Sequence, residues 1–152
     1  MKTINQFIKE GLKINSKSKI NTYSYYPKDK DELKSLIKDL TKERGDNADL
    51  NDIDTSKITN MSKLFYYSDF NGNISEWDVS NVKNMTNMFH DSKFNGDISK
   101  WDVSNVENMS YMFMGSKFNK NINNWNIDNV NNMLQIFYNC PLEKNPPKWY
   151  KI

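Results

Sequence analysis

A block of 24 residues recurs along the second half of the chain. F-N-G-N-I-S-E-W-D-V-S-N-V-K-N-M-T-N-M-F runs from Phe70 to Phe89, and F-N-G-D-I-S-K-W-D-V-S-N-V-E-N-M-S-Y-M-F from Phe94 to Phe113. Trp77, Trp101, Trp125 and Trp149 stand 24 positions apart. So do Met61, Met85, Met109 and Met133, and also Phe65, Phe89, Phe113 and Phe137. A fixed period with apolar positions held and polar ones free is the mark of a stacked array. One repeat cannot bury its apolar side alone, so neighbours must cover one another.

The period predicts an α/β repeat solenoid of leucine-rich-repeat type, with about four 24-residue rungs. Each rung is expected to hold one short strand around Trp-Asp-Val and one short helix around Asn-Met-x-x-Met-Phe. Alternation along a strand points Trp77 and Val79 inward and Glu76 and Asp78 outward. Helical spacing turns Met85, Met88 and Phe89 to the core. The first rung starts near Leu50, where L-N-D-I-D-T-S-K-I-T-N-M-S-K-L-F aligns without a gap and Ile53 replaces the tryptophan. The last rung is degenerate, with Leu142 for Phe and with Pro146 and Pro147, which blunt an exposed edge.

Three segments follow from local patterning. Residues 1–20 read as an amphipathic helix over 3–13, with Ile4, Phe7, Ile8 and Leu12 on one face, and a polar linker. Residues 21–47 form an N-terminal cap: T-Y-S-Y-Y is extended up to Pro27, and a helix spans 30–44. Leu33, Leu36, Ile37 and Leu40 line one side of that helix, Asp29 with Glu32 suits a capping box, and Gly45 suits a C-cap. Residues 48–152 are the solenoid, and helix 30–44 is its cover.

The pattern F-N-x-D/N-I-x-x-W-D-V-S-N-V-x-N-M-x-x-M-F resembles the BspA-like leucine-rich repeats, also called domain of unknown function 285. The resemblance covers about residues 48–150. The leader Y-Y-P-K-D-K-D-E-L-K-S-L-I is similar to one found before such repeats in gut-phage proteins. The best-known BspA-like proteins are surface lipoproteins and adhesins, so the resemblance implies a repeat fold and a habit of binding proteins. It names no ligand.

Chemistry is scarce. His90 is the single histidine and aligns with Tyr66, Met114 and Tyr138, a variable surface slot; Cys140 aligns with Ser68, Ser92 and Ser116. The two stand two rungs apart, too far for a nucleophile and its base. No metal-binding cluster and no phosphate loop is present, so no catalytic residue, metal or cofactor is expected. Asp54, Asp78 and Asp102 stack as like charges and are expected to bond to their own turns. The net charge of +2 is too small to argue for nucleic acid. Residues 1–47 carry 11 Lys/Arg against 7 Asp/Glu, a net of +4 that leaves −2 elsewhere. One cysteine allows no internal disulfide, and no apolar run of membrane-spanning length occurs. No signal peptide or lipidation motif is visible, which predicts a cytoplasmic or virion-associated protein with no membrane partner.

Function should then lie where repeats differ. The outward helix slots are Lys63, Asn87, Tyr111 and Gln135, then Tyr66, His90, Met114 and Tyr138. Tyr66, Tyr111, Tyr138, Met114 and His90 make an aromatic ridge, and Glu76 and Lys100 lie on a charged strand face. Tyr and Met are favoured at interfaces. The expected function is a non-catalytic protein–protein interaction module. A phage-type inhibitor of a bacterial defence enzyme or nucleoprotein, and a BspA-type adhesin, are the alternatives.

Overall fold

The structure, a computed structural model, describes residues 22–151. The helix expected over residues 3–13 lies outside them. The described residues hold one α-helix, α1 (Lys30–Arg44), one 3₁₀ turn (Pro141–Glu143) and no β-strand. The expectation of an α/β solenoid with a strand and a helix in every rung is therefore wrong. The repeats do stack, but as coils made of turns.

Four coils of 24 residues span 46–69, 70–93, 94–117 and 118–141. Isolated parallel bridges join them at Asn60, Asn84, Asn108 and Asn132. The expected helix is an arm of successive turns, at 61–68, 85–92, 109–116 and 133–140. Along each arm the N–H groups alternate between two jobs. Those of Met61, Lys63, Phe65 and Tyr67 cross to the carbonyls of Asn84, Thr86, Met88 and His90, at 2.8–2.9 Å for all but Lys63, at 3.0 Å. Those of Leu64, Tyr66 and Ser68 fold back to the carbonyl three residues earlier. The same two sets recur from coil 2 to coil 3 and from coil 3 to coil 4.

A helix needs every N–H to reach back four residues. Here a left-handed residue at every fourth position prevents it. Lys63, Asn87, Tyr111 and Gln135 have φ of 50° to 58°, and Tyr67, Asp91 and Asn139 have φ of 50° to 53°. Gly115 completes the second column at φ 66°. Each sits third in a four-residue turn, where positive φ is required. Left-handed backbone costs a residue with a Cβ roughly 1–2 kcal/mol, and twelve inter-arm bonds across three interfaces hold it in place.

The expected strand at Trp77–Val79 is replaced by turns because its amides are used locally. Trp77 N–H bonds to Ile74 O and Val82 N–H to Val79 O. Ser80 N–H bonds to Asp78 Oδ1 at 3.0 Å. Side chains make the cross-coil links instead. The indole N–H groups of Trp77, Trp101, Trp125 and Trp149 reach the carbonyls of Leu50, Ile74, Ile98 and Ile122 at 2.8–3.1 Å. Asn81, Asn105 and Asn129 amides donate to Ser56, Ser80 and Ser104 carbonyls.

The core follows the periodic residues. Trp77, Val79, Met85, Met88 and Phe89 are buried, as expected. Phe65, Phe89, Phe113 and Phe137 stack at 5.4–6.0 Å with interplanar angles of 5–15°. Phe70, Phe94 and Phe118 form a parallel second column. Gly72 stays small for a reason: a Cβ there would run into the Ala48 carbonyl and the Phe70 ring.

Helix α1 starts and ends as the sequence predicts. Asp29 caps the Glu32 N–H at 3.0 Å, Glu32 Oε2 takes the Lys28 N–H, and the Gly45 N–H bonds to Thr41 O. Leu33, Ile37 and Leu40 are buried in the same core cluster, so α1 closes the coil 1 end of the stack. Tyr25, in the segment expected to be extended, bridges Ile53 in parallel.

Candidate interaction surface

The arms carry the surface. Their cross-coil bonds align Tyr66, His90, Met114 and Tyr138 in one row, and Tyr111 is tied to Met114 by a turn bond. Tyr66 and Tyr138 are exposed, whereas His90, Tyr111 and Met114 are half-buried. The large apolar side chains most exposed on the arms are Tyr67 (65%), Leu134 (56%), Tyr138 (51%) and Tyr66 (41%). Sequence reasoning missed Tyr67 and Leu134. Tyr67 falls in the column shared with Asp91, Gly115 and Asn139, and Gly and Asn there signal a left-handed turn that presents its side chain outward.

Around coil 1 and coil 2 the row becomes a cluster. Tyr66 and Tyr67 meet edge to face at 4.5 Å, and the His90 ring lies 5.0 Å from Tyr66. Lys63 Nζ stands 5.7 Å over the Tyr66 ring. His90 Nδ1 is 2.7 Å from Asn87 Oδ1, and Nε2 is 3.0 Å from Asp91 Oδ2. Asp91 also takes the Tyr67 phenol, which raises the Tyr67 pKa. His90 is thus committed to its neighbours and has no cysteine beside it. Cys140 is buried in coil 4, and that burial pushes its thiol pKa up, away from a reactive thiolate.

Glu76 and Lys100 sit apart from this row, lining a shallow hollow with Asn73, Ser75 and Asp97. The aspartate column bonds to its own turns: Asp54 to Ser56 N–H, Asp78 and Asp102 to the N–H and hydroxyl of Ser80 and Ser104. The Ser104 hydroxyl and amide hold the Asp102 carboxyl below the usual carboxylate range. Among the described residues no three His, Cys, Asp or Glu side chains are grouped to hold a metal ion. Nor is any helix among them long and apolar enough to cross a membrane.

The repeat geometry has a counterpart among known sequences. A family model described as "Mycoplasma protein of unknown function, DUF285" matches residues 31–149. The chain belongs to the DUF285 family. The match takes in α1 as well as all four coils, so in this DUF285 chain the cover helix and the stack lie within one family unit. No curated protein and no solved structure matches the chain.

Proposed function

We propose that this DUF285 chain is a non-catalytic protein-binding module whose contact surface is the arm row of Tyr66, Tyr67, His90, Tyr111, Met114 and Tyr138. One observation carries the reading. The framework phenylalanines Phe65, Phe89, Phe113 and Phe137 are buried, yet Tyr66, Tyr67 and Tyr138 of this row stand 41–65% exposed. Exposed aromatics beside a fixed backbone offer contact area at small entropic cost. The charged hollow of Glu76 and Lys100 is secondary, because exposed ion pairs contribute about 0–1 kcal/mol.

The test is capture of partners from cell extract by immobilised protein. Replacing Tyr66, Tyr67 and Tyr138 together by serine abolishes capture and leaves unfolding cooperative. Replacing Glu76, Lys100 and Asn124 by alanine leaves most of it. The opposite ranking would move the contact surface to the hollow.

A further inference from the structure

Helix α1 covers coil 1 without sealing against its arm. Between the two runs a groove of about 540 Å³, a size that takes several side chains. Its floor is aliphatic, with Ile37 from α1 and Leu64 from the arm, both buried. Tyr66 lines the arm side, so the groove adjoins the contact row. Thr41 lines it too, but its hydroxyl is spent on the Ile37 and Lys38 carbonyls.

The charges of α1 are sorted about this groove. Lys34, Lys38 and Lys42 follow one another at i, i+4 spacing, which places them on one flank, and the first two line the groove. Glu32, Asp39 and Glu43 fall on the opposite flank. Lys30, one turn earlier, is engaged by Ser62 Oγ at 3.3 Å. Lys34 and Lys38 are exposed, and among the described residues their ammonium groups make no ion pair or hydrogen bond. Asp31, the one carboxylate in the lining, makes no ion pair with Lys34. On the arm side Lys63 Nζ stands 5.7 Å over the Tyr66 ring, so that side is basic as well. Like charges one turn apart repel, and among the described residues no carboxylate neutralises this pair.

We propose that this groove takes an acidic segment of a partner protein. The segment seats an apolar side chain on Ile37 and Leu64 and sets carboxylates against Lys34 and Lys38. The inference rests on the protein-binding reading above and names the class of partner taken at coil 1. The apolar anchor supplies buried area, and the flanking charges fix orientation and choice of partner. Residues 1–20 do not match, because they carry five lysines against the single Glu10 and would set lysine against lysine. A nucleic acid meets the lysines through its phosphates but leaves the aliphatic floor unmatched.

The experiment titrates the whole protein into fluorescein-labelled peptides and follows anisotropy. The probe is E-E-D-L-F-D-E-E. One control, E-E-D-G-S-D-E-E, lacks the anchor, and the other, K-K-R-L-F-R-K-K, reverses the charge. The probe is expected to bind at least about tenfold tighter than either control. Lys34→Glu with Lys38→Glu, both at exposed positions, should leave the melting point in place and weaken probe binding at least about tenfold. The same variant should now prefer the basic peptide, a reversal that damage to the fold could not produce. Tyr67→Ser with Tyr138→Ser, which keeps Tyr66, should leave probe binding unchanged even where capture from extract is lost, so the groove and the row fail separately. Absence of probe binding, equal binding of either control, or unchanged binding by the double lysine variant would overturn the proposal. Tighter binding of a single-stranded oligonucleotide, displacement of the probe by an equal amount of a peptide of residues 1–20, or a dimer that the probe dissociates would assign the groove to another occupant and overturn it too.

Discussion

Coil 1 and coil 4 are built from the same repeat but are covered to different degrees. Coil 1 is covered: Leu33, Ile37 and Leu40 of α1 lie in its core cluster, and Met61 is fully buried. Coil 4 is covered only in part: Trp149 and Tyr150 lie against Phe137, but Met133, the same repeat position, is half-exposed, and Leu134 stands in solvent. The difference shows how little of a coil's stability is its own. A stacked repeat draws its energy from neighbours on both sides, and an end needs a cover or remains a surface.

The comparison can be broken first at the tryptophans. Trp101, in coil 3, is buried between neighbours, and Trp149, beyond coil 4, is only partly so. Trp101→Ala should cost about 3–5 kcal/mol, and Trp149→Ala clearly less. Chemical denaturation of both variants measures this, and equal losses would mean that the two ends are alike. Next comes the cover itself. Leu33→Ala, at a fully buried position, should cost about 2–5 kcal/mol, whereas Leu134→Ser, at an exposed position of coil 4, should change stability by less than about 0.5 kcal/mol.

Smaller effects sharpen the account of the arms. Gly115→Ala should destabilise by about 1–3 kcal/mol, since φ is 66° and the new Cβ would strike Asp91. Gln135→Gly, at φ 50°, should instead stabilise by up to about 1 kcal/mol. A helical arm would reverse the sign of the second result. The smallest effect is that of Asp102. Its folded-state pKa lies below the unfolded value, so its contribution is present above about pH 4 and is lost as pH falls through the folded value. Asp102→Ala should remove that part of the acid sensitivity, read from melting points between neutral and acid pH, and calcium should not alter it.

The sequence made the period, the inward residues and α1 legible, because burial and capping act through residue type at fixed spacing. It misled on the elements within each repeat. Met85, Met88 and Phe89 fit helical spacing, yet the same inward pattern arises when two turns bring every third or fourth side chain to one side. The signal that separates the two is the column Tyr67, Asp91, Gly115, Asn139, rich in residues that tolerate left-handed backbone. The strand assignment failed for a related reason. Asp78 and Asp102 turn the chain through bonds to Ser80 and Ser104, so the Trp corner pairs through side chains rather than through a backbone ladder. Of the contact row, Tyr66 and Tyr138 were legible as variable positions. Tyr67 was not, because its exposure depends on turn geometry, and neither was Leu134, which is exposed on the coil 4 arm outside that row.

Amide exchange across the free protein tests the central claim, a turn-built stack in which the arm N–H groups of each coil bond to the arm carbonyls of the next. Met85, Asn87 and Phe89 in coil 2 and Met109, Tyr111 and Phe113 in coil 3 should be strongly protected. Met133, Gln135 and Phe137 in coil 4 should exchange at least about tenfold faster. Equal protection of the coil 3 and coil 4 sets would contradict the account.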